Sequence, residues 1–139
     1  MRQKRFTETK ISLVMKGEPE AKGGKMQEVS RQQVQRLLFR ADARLVEVLP
    51  EPDYRKAHLP GAVNVPFDDE FGMHVQYVIP DKNTPVIVYC ADSECELSPK
   101  AAKHLDKLGY NKVFDYRGGK ADWQRAGLQV ERGSIEDAR

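Results

Sequence analysis

The stretch that decides the fold is Val86-Ile87-Val88-Tyr89-Cys90-Ala91-Asp92-Ser93-Glu94-Cys95-Glu96-Leu97-Ser98-Pro99. Its first four residues are continuously apolar and mostly β-branched, which reads as a strand covered on both faces, the habit of strands in parallel sheets. A polar loop follows. Ser98-Pro99 then supplies an N-cap and a proline at the first helical position. Beyond it, Ala101, Ala102, Leu105 and Leu108 recur on one side, with Lys100, Lys103, Asp106 and Lys107 on the other, until Gly109 stops the helix. Strand, loop and helix in that order form the repeating unit of a parallel sheet.

Working outward, the same alternation continues in both directions. Upstream, Val29 closes a short strand, Ser30 is placed to cap a helix, and Val34, Leu37 and Leu38 share one helical face. Residues 45–49 read as a strand ended by Pro50, and Glu51-Pro52-Asp53 as turn material. Val63-Asn64-Val65-Pro66 is a further extended segment, residues 67–77 suit a helix, and residues 80–85 a loop. Downstream come a strand around Val113-Phe114, a turn at Gly118-Gly119, and a short helix from Ala121 to Arg125 around Trp123, a core residue. The expected fold class is α/β, a parallel sheet flanked by helices on both faces.

The chain of 139 residues suffices for one such domain, with an ordinary balance of 40% apolar and 32% charged residues. The predicted division is a basic extension over residues 1–25, a domain over residues 26–132 and a short tail over residues 133–139. The extension holds seven Lys or Arg against three Glu, a surplus of four in a total net charge of +2, so the remainder is slightly acidic. Such a balance gives no strong field to draw in nucleic acid or an anionic membrane. No apolar run approaches the roughly 18 residues of a span, and residues 11–15 are too few for a signal-peptide core of about 7–15. A cytoplasmic protein is expected, with its two cysteines reduced at rest.

Cys90 is the expected chemical centre. Ligands of open parallel sheets bind beyond the carboxyl ends of the strands, where this thiol lies. The loop behind it runs into a helix N-terminus, whose amides and dipole stabilise anions and lower a thiol's pKa from roughly 8.5. The amides of Ala91, Asp92, Ser93, Glu94, Cys95 and Glu96 are the candidate cradle for an anion or a persulfide on an exposed Cys90 thiolate.

Further residues carry a resemblance. Leu45-Val46-Glu47-Val48, Glu51-Pro52-Asp53-Tyr54 and His58-Leu59-Pro60-Gly61-Ala62-Val63-Asn64-Val65-Pro66 precede the cysteine strand. Leu108-Gly109-Tyr110, Gly118-Gly119, Trp123 and Ala126-Gly127-Leu128 follow it. In this order, over about residues 29–130, they resemble the rhodanese homology family. The resemblance implies a five-stranded parallel sheet and transfer of a sulfane sulfur through a persulfide on Cys90. No cofactor is expected, and no metal, since the two cysteines and His58, His74 and His104 fit no usual ligand spacing. The partners implied are a small-molecule or protein-bound sulfur donor and a thiol acceptor, with a thioredoxin-like reductant if a disulfide forms.

Three features depart from the common pattern. Ser98 stands eight residues after Cys90 rather than six, giving a longer loop like that of phosphatases sharing the fold. Those place an Arg six residues after the cysteine, and Glu96 stands there instead, which opposes a phosphate dianion. Asp92, Glu94 and Glu96 likewise disfavour thiosulfate, so a neutral or protein-bound donor fits better. Arg117 would offset these acids if it lies beside the loop, although a surface Arg reads the same. Cys95 is close enough in sequence to reach Cys90. It stands either as a resolving thiol or as a loop cysteine packed under the helix. A dithiol redox protein and a non-catalytic binding module therefore remain as alternatives to a sulfurtransferase. His58 is read as ordering its Pro-Gly turn, and Glu47 and Asp53 as bracing loops at the sheet's carboxyl edge or as solvated acids.

Overall fold

The computed structural model describes residues 26–40 and 42–133; the readings made for residues 1–25 and 134–139 lie outside them. Five parallel strands, β1 (Gln27–Glu28), β2 (Arg44–Glu47), β3 (Val63–Asn64), β4 (Val86–Tyr89) and β5 (Val113–Tyr116), form one sheet in the order β1-β5-β4-β2-β3. The connecting helices are α1 (Arg31–Arg40), α2 (Glu51–Lys56), α3 (Phe71–Val78), α4 (Leu97–Lys107) and α5 (Gly119–Arg125). The central strand is β4, paired with β2 from Arg44↔Val86 to Glu47↔Tyr89 and with β5 from Val86↔Val113 to Tyr89↔Tyr116.

Side-chain alternation on the strands divides the core between two faces. On one, Val46, Val86, Val88, Cys90 and Val113 pack with Phe71 and Val75 of α3 and Ala101, Ala102 and Leu105 of α4. On the other, Leu45, Ile87, Tyr89, Phe114 and Tyr116 pack with Val34 and Leu37 of α1, Tyr54 of α2 and Trp123 of α5. A fully buried aliphatic side chain contributes about 1.5–3 kcal/mol, so these two layers set the sheet's position between its helices.

The caps and turns follow residue chemistry. Ser30 Oγ accepts the Gln33 N–H at 3.2 Å while Gln33 Oε1 accepts the Ser30 N–H at 2.8 Å, a reciprocal capping box. The His58 ring ties back to α2 rather than into the Pro-Gly turn: Nδ1 lies 2.8 Å from the Tyr54 carbonyl, and the ring stacks on Tyr54 with centroids 3.7 Å apart.

Several boundaries differ from the sequence reading; the strand read over residues 45–49 spans Arg44–Glu47. Residues 51–53 open α2 instead of making a turn, because proline near the first helical position costs no hydrogen bond. The helix read from residue 67 begins at Phe71, since the Phe67 N–H is taken by the Val48 carbonyl at 3.0 Å. Gly118-Gly119 passes directly into α5. Helix α4 begins at Leu97 with Glu96 at its cap, so Ser98 sits inside the first turn, buried rather than capping.

Candidate active site

Cys90 follows β4 directly, and its side chain continues the face lined by Val86 and Val88, under α4. The expectation of an exposed sulfur is corrected here: Cys90 is 1% exposed, and its Sγ is bonded to that of Cys95, with the α-carbons 6.4 Å apart. The structure thus brings both predicted thiols together in a disulfide. Cys95 is partly buried against the same apolar layer.

The loop between them is folded on itself. Asp92 Oδ1 accepts the Glu94 N–H at 3.0 Å, and the Asp92 carbonyl accepts the Cys95 N–H at 3.1 Å. Two of the six candidate cradle amides are therefore committed to Asp92, in the side-chain turn typical of aspartate. Ala91, Ser93, Glu94 and Glu96 are exposed. Arg117, which follows β5 as Cys90 follows β4, donates from Nη2 to the Ser93 carbonyl at 2.5 Å. The guanidinium does lie against the acidic loop.

The root of the loop is held by α5. Lys120 N–H donates to the Cys90 carbonyl at 3.1 Å and Ala121 N–H to the Ala91 carbonyl at 2.9 Å. This approach requires Gly119, whose φ is +62° and where any Cβ would collide with the Cys90 carbonyl.

Two buried carboxylates flank this edge of the sheet. Glu47, fully buried on the α5 side, accepts the Tyr89 hydroxyl on Oε1 at 2.7 Å and pairs through Oε2 with Lys120 Nζ at 3.0 Å. Lys120 Nζ also donates to the carbonyls of Asp53 at 2.8 Å and Ala57 at 2.6 Å, and the Tyr89 hydroxyl accepts the Leu59 N–H at 3.0 Å. Burial raises the Glu47 pKa, with Tyr89 and Lys120 pulling it back. Of the two acids read as bracing loops, Glu47 does so through its side chain and Asp53 through its carbonyl. Asp115, on β5 and the α4 side, is also fully buried, with the Ser98 hydroxyl of α4 as its hydrogen-bonding influence and no ion pair among the described residues. Sequence reasoning passed over both Lys120 and Asp115. The signal for Asp115 was a charge inside the otherwise apolar run Val113-Phe114-Asp115-Tyr116; Lys120 carried none, because its partner lies in a remote segment.

This arrangement, a parallel sheet with a cysteine closing its central strand, is matched by a family model for the rhodanese-like domain over residues 30–126. The chain belongs to the rhodanese-like family. Curated relatives of this rhodanese-like chain include the uncharacterized protein YibN of Escherichia coli (strain K12), 29% identical over 109 residues that cover 78% of this chain and 75% of the relative. An HTH-type transcriptional regulator of Mycobacterium tuberculosis is 27% identical over 106 residues, 76% of this chain but only 45% of the regulator. Among solved structures, a thiosulfate sulfurtransferase from Pseudomonas aeruginosa superposes with a TM-score of 0.64 at 29% identity, covering 78% of this chain and 21% of that one. A rhodanese with anions from E. coli gives 0.55 at 27% identity, covering 66% of this chain and 99% of that one. The rhodanese-like domain thus spans less than half of the regulator and about a fifth of the Pseudomonas enzyme. No helix among the described residues is long and apolar enough to cross a membrane.

Proposed function

We propose that this domain is a sulfurtransferase that carries a sulfane sulfur on Cys90 and uses Cys95 as its resolving thiol. One observation supports the reading above others: the two sulfurs meet at the carboxyl end of the central strand, where this architecture holds its ligands. In the reduced protein, the Cys90 thiolate attacks the outer sulfur of a persulfide donor, and the donor leaves as a thiolate. The terminal sulfur then passes to a thiol acceptor. In the absence of an acceptor, the Cys95 thiolate attacks Cys90 Sγ, hydrosulfide departs, and the Cys90–Cys95 disulfide forms. A dithiol reductant restores both thiols with two electrons and becomes a disulfide itself. The acidic side chains of Asp92, Glu94 and Glu96 favour a neutral or protein-bound donor over a dianion. A reducing, cytoplasmic setting would supply the dithiol.

The disulfide favours a second reading, a redox protein that cycles these two thiols without carrying sulfur. Intact-mass measurement separates them. After reduction and exposure to a low-molecular-weight persulfide, the Cys95→Ser variant should gain one sulfur, and the Cys90→Ser variant none. A Cys95→Ser protein that gains no sulfur leaves the redox reading in its place.

A further inference from the structure

The buried carboxyl of Asp115 has no part in the cycle above. Burying an aspartate without an ion pair is costly, and an interior of this kind ordinarily holds valine or leucine at such a strand position. Its side chain lies on the same face as Cys90. Register pairs Asp115 with Val88 on β4, and Cys90 stands two residues beyond Val88 on that face. Strand spacing and rise put the α-carbons of Asp115 and Cys90 about 8 Å apart, diagonal neighbours on one face of adjacent chain segments. Both are roofed by the first turn of α4, whose buried Ser98 hydroxyl acts on the carboxyl. The charges that act on Asp115 are Arg117, two residues on and just past the end of β5, and Glu28, its register partner on β1. Val88 beside it and Ala101 and Ala102 of α4 are apolar.

From this juxtaposition we infer that Asp115 is the proton-exchange group of the Cys90 thiol, accepting its proton when the thiol is activated and returning it when the Cys90–Cys95 disulfide is reduced. The inference rests on the pairing of the two cysteines in the proposed cycle. In the reductive direction, one sulfur of a dithiol attacks Cys95 Sγ, the Cys90–Cys95 bond breaks, and its electron pair leaves on Cys90. The Asp115 carboxyl protonates that thiolate and becomes a carboxylate. The second sulfur of the dithiol then attacks the mixed disulfide, releases Cys95 as a thiolate and closes the reductant's own disulfide. Activation of Cys90 runs the proton step backwards. Such an acid works best when it titrates near the working pH, and desolvation, opposed by Ser98 and Arg117, raises Asp115 to about 6.

The test is thiol–disulfide exchange with dithiothreitol on the whole chain between pH 5 and 8, quenched by alkylation and read by intact mass. Once corrected for the reagent's thiolate fraction, the wild-type reduction rate should fall about ten-fold as pH rises through 6, and Asp115→Asn should be slow with a flat profile. Asp115→Glu should restore an inflection, which a merely structural role would not produce. Asp115→Leu serves as the second flat-profile variant should Asp115→Asn fold poorly. A wild-type profile retained in Asp115→Asn or Asp115→Leu overturns the inference, as does failure of Cys90 and Cys95 to form a disulfide. A separate arm with a persulfide donor distinguishes the two proposals: absence of sulfur on Cys90, with the Asp115-dependent inflection intact, removes the sulfur-transfer reading and leaves this one standing.

Discussion

Glu47 and Asp115 are the same functional group, both fully buried, on the two strands that flank β4, yet their surroundings are opposite. Glu47 faces α5 and has a hydroxyl and an ammonium within 3.0 Å. Asp115 faces α4 and has no ion pair among the described residues, only the Ser98 hydroxyl and the more distant charge of Arg117 to offset its burial. The difference separates two uses of buried charge. A carboxylate held by an ammonium and a hydroxyl ties segments together, since removing any member strands the others; one without a cation weakens the fold it sits in and is freer to change protonation state.

Three substitutions bear on this contrast. The largest effect is expected on the Glu47 side: Lys120→Met should lower unfolding free energy by about 3–5 kcal/mol in urea titration, because it leaves Glu47 buried without its cation and frees two carbonyls. Asp115→Leu should move the other way, raising stability at pH 7 by about 1–2 kcal/mol. The sign follows from linkage. The folded pKa, about 6, exceeds the unfolded value of 3.8, so the native state binds more protons and wild type loses stability as pH rises between those values. The gain from Asp115→Leu should therefore shrink as pH falls from 7 toward 4, in thermal melts across that range. The smallest effect is expected from Arg117→Ala, within about 0.5 kcal/mol, since its contact with Ser93 is at the surface. It should nonetheless shift the reduction inflection upward in pH, because the guanidinium is one of the two influences that lower the Asp115 pKa.

Much of this was legible in the residues. The apolar run at 86–89 gave β4 with its observed bounds, and the alternation of strands and helices gave a parallel sheet with both faces covered, because each signal is local and repeats. Short elements were harder. The six residues of α2 offer too few turns for periodicity, and their prolines read as a break. At the site, Cys90 and its loop were visible because a cysteine between a strand and a capped helix is a local pattern. The state of that cysteine was not: whether its sulfur is open or covered depends on how residues 91–96 fold over it, which Asp92 decides by taking two amides. The partners of Glu47 and the lack of an ion pair at Asp115 are set by long-range packing, beyond the reach of any window of sequence.

The Cys90–Cys95 link closes a ring of only a few residues. In the chain-entropy picture such a small ring restrains the denatured ensemble by about 2 kcal/mol, against nearly 5 for one of 100 residues. Opening and closing it therefore costs the domain little of its integrity. A covalent bond placed to staple an architecture would join distant segments; one this short adds comparatively little to it, and so can be made and broken whenever a persulfide is resolved without an acceptor.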